Sequence, residues 1–193
     1  VSDNAGNVAT TVTRTVNVVD TVAPSITILG DVSLNHQVKT PYEDAGATAA
    51  DDNEGNITSD IVITNNVDAN VVGTYQVHYD VSDNAGNQAN RKTRTVFVVD
   101  TIAPTIELIG SANLTVNQDS TYNDLGATAS DNYDGDITAN IVVTNNVNTS
   151  AVGSYSVLYN VSDAAGNAAT EVTRTVNVVD ATSPVITLLG DAT

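Results

Sequence analysis

The residues best able to do chemistry are the aspartates, which recur along the chain at a fixed interval. The stretch DNYDGDIT, beginning at Asp131, places three aspartates, an asparagine and a glycine within its first six residues. Carboxylates crowded in this way repel one another unless a cation or backbone N–H groups compensate for their charge. Such a stretch is therefore a metal-ligand set, a catalytic carboxylate cluster or a tight polar turn.

The same stretch recurs because the chain is a tandem repeat with a spacing of 80 residues. The heptapeptide VSDNAGN and its variant VSDAAGN mark three successive copies. A terminal piece of only twenty residues cannot bury a core by itself, so the sequence predicts a window of a longer array. The predicted divisions are the end of a preceding repeat at 1–20, complete repeats at 21–100 and 101–180, and the first strand of a following repeat at 181–193.

The overall composition argues against several classes of function. The 193 residues include 6 Lys plus Arg against 23 Asp plus Glu, which gives a formal net charge of −17. Such a surface repels phosphate backbones and anionic membranes and attracts cations, so we expect neither nucleic-acid binding nor membrane insertion. No apolar run reaches the length of a membrane span. Cysteine is absent, which rules out disulfides and thiolate metal sites.

Each repeat is predicted to be all-β. Residues 74–82 give the clearest strand, because Tyr75, Val77 and Tyr79 alternate with polar residues in the period of a half-buried strand. About seven short strands per repeat, separated by turn clusters, are typical of a small β-sandwich. Further strands are predicted at residues 25–29, 45–50, 60–66 and 92–99.

Five motifs carry a resemblance to a known family. They are D-T-x-A-P-x-I, Y-x-D-x-G-A-T-A, D-G-D-I-T, V-G-x-Y-x-V-x-Y-x-V-S-D-x-A-G-N and T-R-T-V-x-V-V-D. Together they resemble bacterial surface immunoglobulin-like repeats, which are related to hyalin-type repeats and to the Ig-like repeats of insecticidal crystal toxins. The resemblance implies tandem Ig-like β-sandwiches in a large, secreted protein at the bacterial cell surface. It also places Tyr75 and Tyr155 at the tyrosine corner, where the hydroxyl bonds to the upstream backbone and the ring fills the core.

The Ig-like arrangement predicts that the acidic residues of each repeat meet at one end. The loop between the second and third strands, the loop before the last strand and the incoming linker all lie there. Converging carboxylates and carbonyls suit Ca²⁺, which takes six to eight oxygen ligands, whereas zinc prefers His or Cys. The predicted ligands are Asp20, Asp51, Asp52, Glu54 and Asp83 in the first repeat, and Asp100, Asp131, Asp134, Asp136 and Asp163 in the second.

Plain turn chemistry is the alternative interpretation of these acids. Asp and Asn favour turns because their side chains accept hydrogen bonds from nearby backbone N–H groups, and SDNAGN by itself is better explained as a turn. The linker D-T-x-A-P resembles the calcium-binding linker of cadherin-like repeats but lacks its second acid, so fewer ions per junction are expected. The first repeat is the weaker site, because Glu54 and Asn56 replace Asp134 and Asp136.

The predicted function is structural. The chain is interpreted as a stalk or spacer segment of a secreted bacterial surface protein, adhesin or extracellular fibre, stiffened by Ca²⁺ at the junctions between repeats. Its predicted partners are the neighbouring repeats and other copies in a fibre. The alternative is a carbohydrate- or protein-binding module of a secreted protein or enzyme, which would use Tyr133 or Phe97. No enzymatic activity is predicted, because His36 and His78 occupy non-equivalent positions and no nucleophile–base set is present.

Overall fold

The computed structural model of the protein describes residues 1–187 and 189. Its Cα positions divide the chain into two compact units. Unit 1 comprises Val1–Asn35, Pro41–Asp68 and Thr74–Phe97. Unit 2 comprises His36–Thr40, Ala69–Gly73 and Val98–Thr193. Unit 1 thus holds most of the first repeat, and unit 2 holds the second repeat together with three short segments of the first, the last of them at 98–100.

The first repeat folds into seven strands, arranged as a three-stranded sheet in the order β1-β3-β4 and a four-stranded sheet in the order β2-β7-β6-β5. A single 3-10 turn at Thr58–Asp60 connects the two sheets. The strands are β1 (Ser25–Ile28), β2 (Ser33–Gln37), β3 (Ala47–Asp51), β4 (Gly55–Asn56), β5 (Val62–Asn65), β6 (Gly73–Asp80) and β7 (Lys92–Val99).

The second repeat has the same seven strands in the same order, with sheets β8-β10-β11 and β9-β14-β13-β12. Its 3-10 turn lies at Thr138–Asn140. The strands are β8 (Thr105–Leu108), β9 (Asn113–Asn117), β10 (Ala127–Asp131), β11 (Gly135–Asp136), β12 (Val142–Asn145), β13 (Gly153–Asn160) and β14 (Val172–Val179). The all-β sandwich predicted from the sequence is therefore confirmed.

One strand pair of the second repeat is parallel. β9 runs parallel to β14, with Asn113 opposite Thr175 and Asn117 opposite Val179. The other pairs of this repeat, such as β12 with β13 and β8 with β10, are antiparallel. The first strands of the repeat are thus divided between its two sheets, β8 in one and β9 in the other.

The core of each repeat lies between its two sheets. In unit 1, Ile26 and Ala49 from the three-stranded sheet pack in one cluster with Val77 and Tyr79 from the four-stranded sheet. Strand β3 alternates buried and exposed residues along its whole length, as expected for a sheet with one face on the core. The small alanines of this strand allow the facing sheet, with its large tyrosine, to approach closely.

A buried arginine forms a polar network within each core. Arg94 on β7 is 1% exposed and Arg174 on β14 is fully buried. Each forms an ion pair with an aspartate, Arg94 with Asp44 and Arg174 with Asp124. A fully buried tyrosine hydroxyl donates to the same carboxylate, from Tyr79 in unit 1 and from Tyr159 in unit 2. This network was not predicted from the sequence.

The hydrogen bond predicted for the tyrosine corner is confirmed at Tyr155, and the prediction that the corner rings fill the core is wrong at both positions. The hydroxyl of Tyr155 donates to the carbonyl oxygen of Ala151 at 3.0 Å. The rings of Tyr75 and Tyr155 are half-buried, whereas Tyr79 and Tyr159, four residues further on, are the fully buried tyrosines. The corner position lies near the start of its strand, where solvent still reaches the ring.

The strands predicted at 25–29, 45–50, 60–66, 74–82 and 92–99 are present, with ends shifted by no more than two residues. Strands β2 and β9 were not predicted, because SLNHQ and NLTVN are short and mostly polar, although Leu114 and Val116 of β9 do alternate with polar residues. The two-residue strands β4 and β11 were not predicted either. In residues 1–20 the structure has one isolated bridge, between Ser2 and Val8. The strand predicted at 181–193 lies partly outside the described residues, and 181–187 contain no strand. In the described part of the chain, none of the helical segments could span a lipid bilayer.

Candidate metal centre

Three carboxylates come together in each unit. In each group every residue contributes one carboxylate oxygen, and the three oxygens lie within 4.8 Å of one another. The groups are Asp20, Asp51 and Asp52 in unit 1, and Asp100, Asp131 and Asp163 in unit 2. These six residues were all predicted as ligands, and residues remote in sequence meet in both units.

In unit 2 the three acids are supplied by a linker, a strand end and a loop. Asp100 directly follows β7, Asp131 is the last residue of β10, and Asp163 lies just beyond β13. The Oδ1 atom of Asp131 accepts hydrogen bonds from the backbone N–H of Tyr133 at 2.7 Å and of Asp134 at 3.0 Å. This Asx turn fixes the side chain and directs it towards the other two acids.

Asn167 fastens the loop that carries Asp163 to the linker. Its backbone N–H and its side-chain amide donate to the two carboxylate oxygens of Asp163, both at 2.7 Å. The same amide nitrogen donates to the carbonyl oxygen of Asp100 at 3.3 Å. The asparagine of the repeated A-G-N sequence therefore holds the loop and the linker in place around the carboxylates.

Unit 1 is built in the same way. The Oδ1 atom of Asp51 accepts from the backbone N–H of Asn53 at 2.9 Å and of Glu54 at 3.1 Å. Asp20 accepts from the N–H of Val22 at 3.0 Å. The side chain of Asn87 donates to the carbonyl oxygen of Asp20 at 3.3 Å. Turn chemistry, the alternative interpretation of these residues, thus accounts for one oxygen of each of these aspartates.

Turn chemistry does not account for the second oxygen. The Oδ2 atoms of Asp20, Asp51, Asp100 and Asp131 are buried and have no hydrogen-bond partner. The last three residues are 7%, 7% and 9% exposed. A buried acceptor without a partner costs free energy, and more when it is charged. A bound cation would satisfy these oxygens, so the residues present fit a metal ion.

The electrostatics of unit 2 keep Asp131 ionised. Burial raises the pKa of Asp131, but the backbone N–H groups of Asp134, Tyr133 and Asn132 and the positive charge of Lys39 outweigh it, so the pKa lies below the ordinary value of 3.8. An ionised carboxylate at neutral pH is the form that binds a metal ion.

The remaining predicted ligands lie outside the two groups and contact the loops instead. Glu54 accepts from the N–H of Asn84 at 2.8 Å, and Asp134 accepts from the N–H of Ala164 at 2.7 Å. Each acid thereby joins the two loops of its unit. Asp136 accepts from the N–H of Thr138, the first residue of the 3-10 turn, at 2.9 Å.

Asp83, the last of the predicted ligands, is bonded through both carboxylate oxygens to Asn87. It is 7% exposed. Burial raises its pKa, but the hydrogen bonds from Asn87 and the following turn outweigh burial, so that the pKa is below its ordinary value. Asp83 is the counterpart of Asp163 but does not join the group of its unit.

Two residues at the unit 2 site were missed by sequence reasoning. The ammonium of Lys39 donates to the carbonyl oxygen of Asn132 at 2.6 Å and lies 5.4 Å from the ring centroid of Tyr133. Gln37 donates to Oδ1 of Asp100 at 3.1 Å. Lys39 could not have been found from the repeat pattern, because its counterpart is Asp119.

The ligand set of both groups consists of carboxylates with backbone carbonyls nearby. Neither group contains a histidine, and the chain has no cysteine. Hard oxygen ligands of this kind suit Ca²⁺, whereas zinc sites are built from His and Cys. Mg²⁺ demands near-octahedral geometry and keeps several waters, which suits a small group assembled from separate loops less well.

A sequence match that covers both repeats establishes the family of this chain. The sequence model of the family described as "Bacterial surface protein, Ig-like domain" matches residues 26–98 and 106–178. The chain belongs to this family. The match confirms the tandem Ig-like architecture and the bacterial surface relationship expected from the motifs. A bacterial surface Ig-like domain is defined by its fold and location rather than by a catalytic reaction.

Other relatives match parts of the chain. An uncharacterized 81.3 kDa protein of Acholeplasma phage L2 is 36% identical over 111 residues, which are 54% of this chain and 15% of the phage protein. The lipoprotein BT2262 from Bacteroides thetaiotaomicron is 27% identical, with a TM-score of 0.37 over 42% of this chain and 40% of the lipoprotein. A structure of CBM51-2 in complex with GlcNAc and INT domains from Clostridium perfringens ZmpB is 32% identical, with a TM-score of 0.32 over 40% of this chain and 16% of the other. The chain thus spans less than half the length of these relatives.

Proposed function

We propose that this segment is a non-catalytic spacer in the stalk of a bacterial surface protein, adhesin or extracellular fibre, and that Ca²⁺ bound at the two carboxylate groups stiffens it. The observation that carries the proposal is the set of buried carboxylate oxygens without partners. A spacer needs no catalytic group, but it does need restricted motion of its linkers. Both groups include a residue of the chain that leads into a repeat, Asp20 or Asp100.

Ca²⁺ would act by tying each linker to the loops of the repeat that follows it. In unit 2 Asp100 and Asp131 would hold the ion through their Oδ2 atoms, and Asp163 would complete the carboxylate set. In unit 1 the corresponding residues would be Asp20 and Asp51, with Asp52. Three negative charges brought this close repel one another without a cation, so the linker is expected to be mobile when the metal is removed.

The binding-module alternative is not favoured. A carbohydrate subsite needs exposed aromatic faces, and the sequence offered Tyr133 as one of two candidates. In unit 2 the Tyr133 ring faces the ammonium of Lys39, and its hydroxyl accepts from the N–H of Val72 at 3.2 Å. These contacts give the ring a role in positioning the loop, which supports a structural function.

The proposal is tested by calcium titration of the whole chain. We expect Ca²⁺ to bind in calorimetry, to raise the melting temperature and to lengthen the mean end-to-end distance measured by small-angle scattering, and a chelator to reverse all three. At 100 times the dissociation constant, one bound ion adds about 2.7 kcal/mol of stability.

Matched variants assign the effect to the sites. Asp51→Asn and Asp131→Asn are expected to remove the calcium response of unit 1 and unit 2 respectively. Asp60→Asn is the control, because Asp60 is exposed, lies outside both groups and has Asn140 as its counterpart. Two results would contradict the calcium part of the proposal and leave a spacer that is not stiffened. One is calcium binding that persists when Asp51→Asn and Asp131→Asn are combined. The other is a melting temperature and an end-to-end distance that change with neither calcium nor chelator.

A further inference from the structure

The buried arginine of each repeat lies on the path that tension would take through the fold. A tandem repeat is pulled where the chain enters it and where the chain leaves it. In unit 2 the chain enters through β8 and β9 and leaves through β14. β8 is four residues long and pairs with β10 alone. Once β8 is detached, the pull falls on β9 and β14.

β9 and β14 are adjacent and parallel, which determines how they respond to that pull. The start of β9 and the end of β14 are drawn in opposite directions along their common axis. All the ladder hydrogen bonds between Asn113–Asn117 and Thr175–Val179 are therefore loaded together. An antiparallel pair pulled from one end would lose its hydrogen bonds one at a time instead.

Backbone hydrogen bonds secure the two ends of this pair. The N–H of Thr175 donates to the carbonyl oxygen of Ala112 at 2.8 Å, before β9 begins. The N–H of Gln118 donates to the carbonyl oxygen of Val179 at 2.8 Å, after β9 ends. The parallel ladder thus extends one residue beyond β9 at each end.

Arg174 adds a second connection between the entering and leaving segments. Its Nε donates to the carbonyl oxygen of Ser111 at 3.1 Å, and one terminal nitrogen donates to that of Ile109 at 2.6 Å. Both acceptors lie in the connection between β8 and β9. The other side of the guanidinium pairs with Asp124 and contacts the hydroxyl of Tyr159 at 3.0 Å. Since Arg174 is fully buried, water cannot replace these bonds before the strands separate.

The same connection exists in unit 1. Arg94 on β7 donates from Nε to the carbonyl oxygen of Asp31 at 2.8 Å, and from a terminal nitrogen to that of Leu29. The N–H of Thr95 donates to the carbonyl oxygen of Val32 at 2.9 Å. The connection between β1 and β2 is therefore bonded to the last strand of this repeat, as in unit 2.

We propose that the pair formed by the second and last strands of each repeat, fastened by its buried arginine, is the element that bears tensile load. Equilibrium stability by itself is a weak reason to bury an arginine–aspartate pair, since apolar side chains of similar volume stabilise the folded state as much or more. Resistance to force gives a stronger reason for the buried arginine. Its directional hydrogen bonds cross a pair of strands that is loaded in shear, and they must all break within a short extension. None of these residues is among the six aspartates of the two proposed metal groups, so the proposal is independent of metal binding.

Force spectroscopy on the whole chain held at its two ends, with a chelator present, tests the proposal. The unaltered protein should show two unfolding events, one for each repeat. In Arg174→Met we expect one event to move to lower force, with its unfolding rate at constant force raised about tenfold or more. The other event should be unchanged and serves as an internal control. Arg94→Met should give the reciprocal result.

Two further variants separate mechanical resistance from equilibrium stability. Arg174→Lys keeps the charge on β14 but lacks the planar fork of donors, so its event should also weaken, and it gives a result even if Arg174→Met prevents the repeat from folding. Ile137→Ala removes a buried core residue outside the strand pair and should lower equilibrium stability with a smaller change in force. Unchanged force in Arg174→Lys, or equal loss of force in Ile137→Ala at equal loss of equilibrium stability, would overturn the proposal.

Discussion

The two carboxylate groups share two of their three positions and differ in the third. Asp20 and Asp51 correspond to Asp100 and Asp131, 80 residues further on. In unit 1 the third acid is Asp52, from the same loop as Asp51. In unit 2 that position is Asn132, and the third acid is instead supplied by the other loop. One framework therefore assembles three carboxylates by two routes.

The acids that join the two loops also differ between the units. In unit 1 the joining residue is Glu54, and in unit 2 it is the shorter Asp134. The hydrogen bonds that they accept are of nearly equal length, 2.8 and 2.7 Å. Asp163 belongs to the group of unit 2, whereas its counterpart Asp83 stays outside the group of unit 1.

The buried ion pairs, unlike the carboxylate groups, are the same in both units. Acid should therefore weaken both units alike, whatever happens at the metal groups. Burial raises the pKa of Asp44 and of Asp124, and the hydrogen bonds from tyrosine, arginine and glycine outweigh it, so both pKa values lie below 3.8. Because the pKa of each aspartate is lower in the folded state, the ion pair contributes fully to the free energy of unfolding above about pH 4. That contribution is lost as the pH falls through the pKa of the folded state.

Of the variants proposed, Asp44→Asn and Asp124→Asn should lower the free energy of unfolding the most. Each leaves a buried guanidinium without its counter-charge, which costs about 3 to 5 kcal/mol. Urea unfolding with chelator present, followed between pH 3 and 7, measures it, and Asp60→Asn is the control. We expect the affected unit to lose stability at neutral pH and to depend less on pH in the acid range. A full pH dependence retained in both variants would contradict this assignment.

Exchanging the third acid tests whether the two routes are equivalent. Asp52→Asn removes a carboxylate from unit 1, and Asn132→Asp supplies the corresponding one in unit 2. One charge about 4 Å from a divalent ion is worth about 2 kcal/mol even at the dielectric constant of water, so it changes the affinity for Ca²⁺ by at least about tenfold. We therefore expect weaker binding in unit 1 and tighter binding in unit 2.

Calorimetry resolves the exchange when the other site is removed by Asp131→Asn or Asp51→Asn. Asp60→Asn again controls for the loss of an exposed carboxylate. If Asp52→Asn leaves the affinity of unit 1 unchanged, Asp52 is a solvated neighbour of the group, and unit 1 binds through two carboxylates and its backbone.

Sequence reasoning predicted the recurring turn-forming acids but missed the buried arginines, which recur at the same spacing. Asp51 and Asp131 were found because turn-forming acids recur at equivalent positions and the Ig-like arrangement brings them to the linker. Arg94 was overlooked because an arginine in a strand is usually exposed, although the period-two alternation of β7 places it on the same face as Val96 and Val98. No local pattern distinguishes Asp83 from Asp163, since both lie in the same S-D-x-A-G-N sequence and both are bonded to the asparagine that ends it.

Lys39 provides the finest distinction between the units. Its ammonium donates to the carbonyl oxygen of Asn132 and lowers the pKa of Asp131, so it places a fixed positive charge beside the carboxylates of unit 2. A divalent ion bound there would be repelled by it. Lys39→Met keeps most of the aliphatic chain and removes the charge, and we expect it to raise the Ca²⁺ affinity of unit 2 about threefold.

Terbium luminescence is a suitable measurement, because Tyr133 lies in the unit 2 loop and the chain has no tryptophan to compete as donor. Tyr133→Phe should abolish most of the signal, which shows that it reports unit 2. Lys92→Met, at an exposed position of β7, should leave the affinity unchanged. The gain in Lys39→Met should shrink as salt is added, since screening weakens the repulsion that was removed. A loss of affinity in Lys39→Met would instead mean that the hydrogen bond from Lys39 holds the loop in its binding shape, and that this outweighs the repulsion between the two cations.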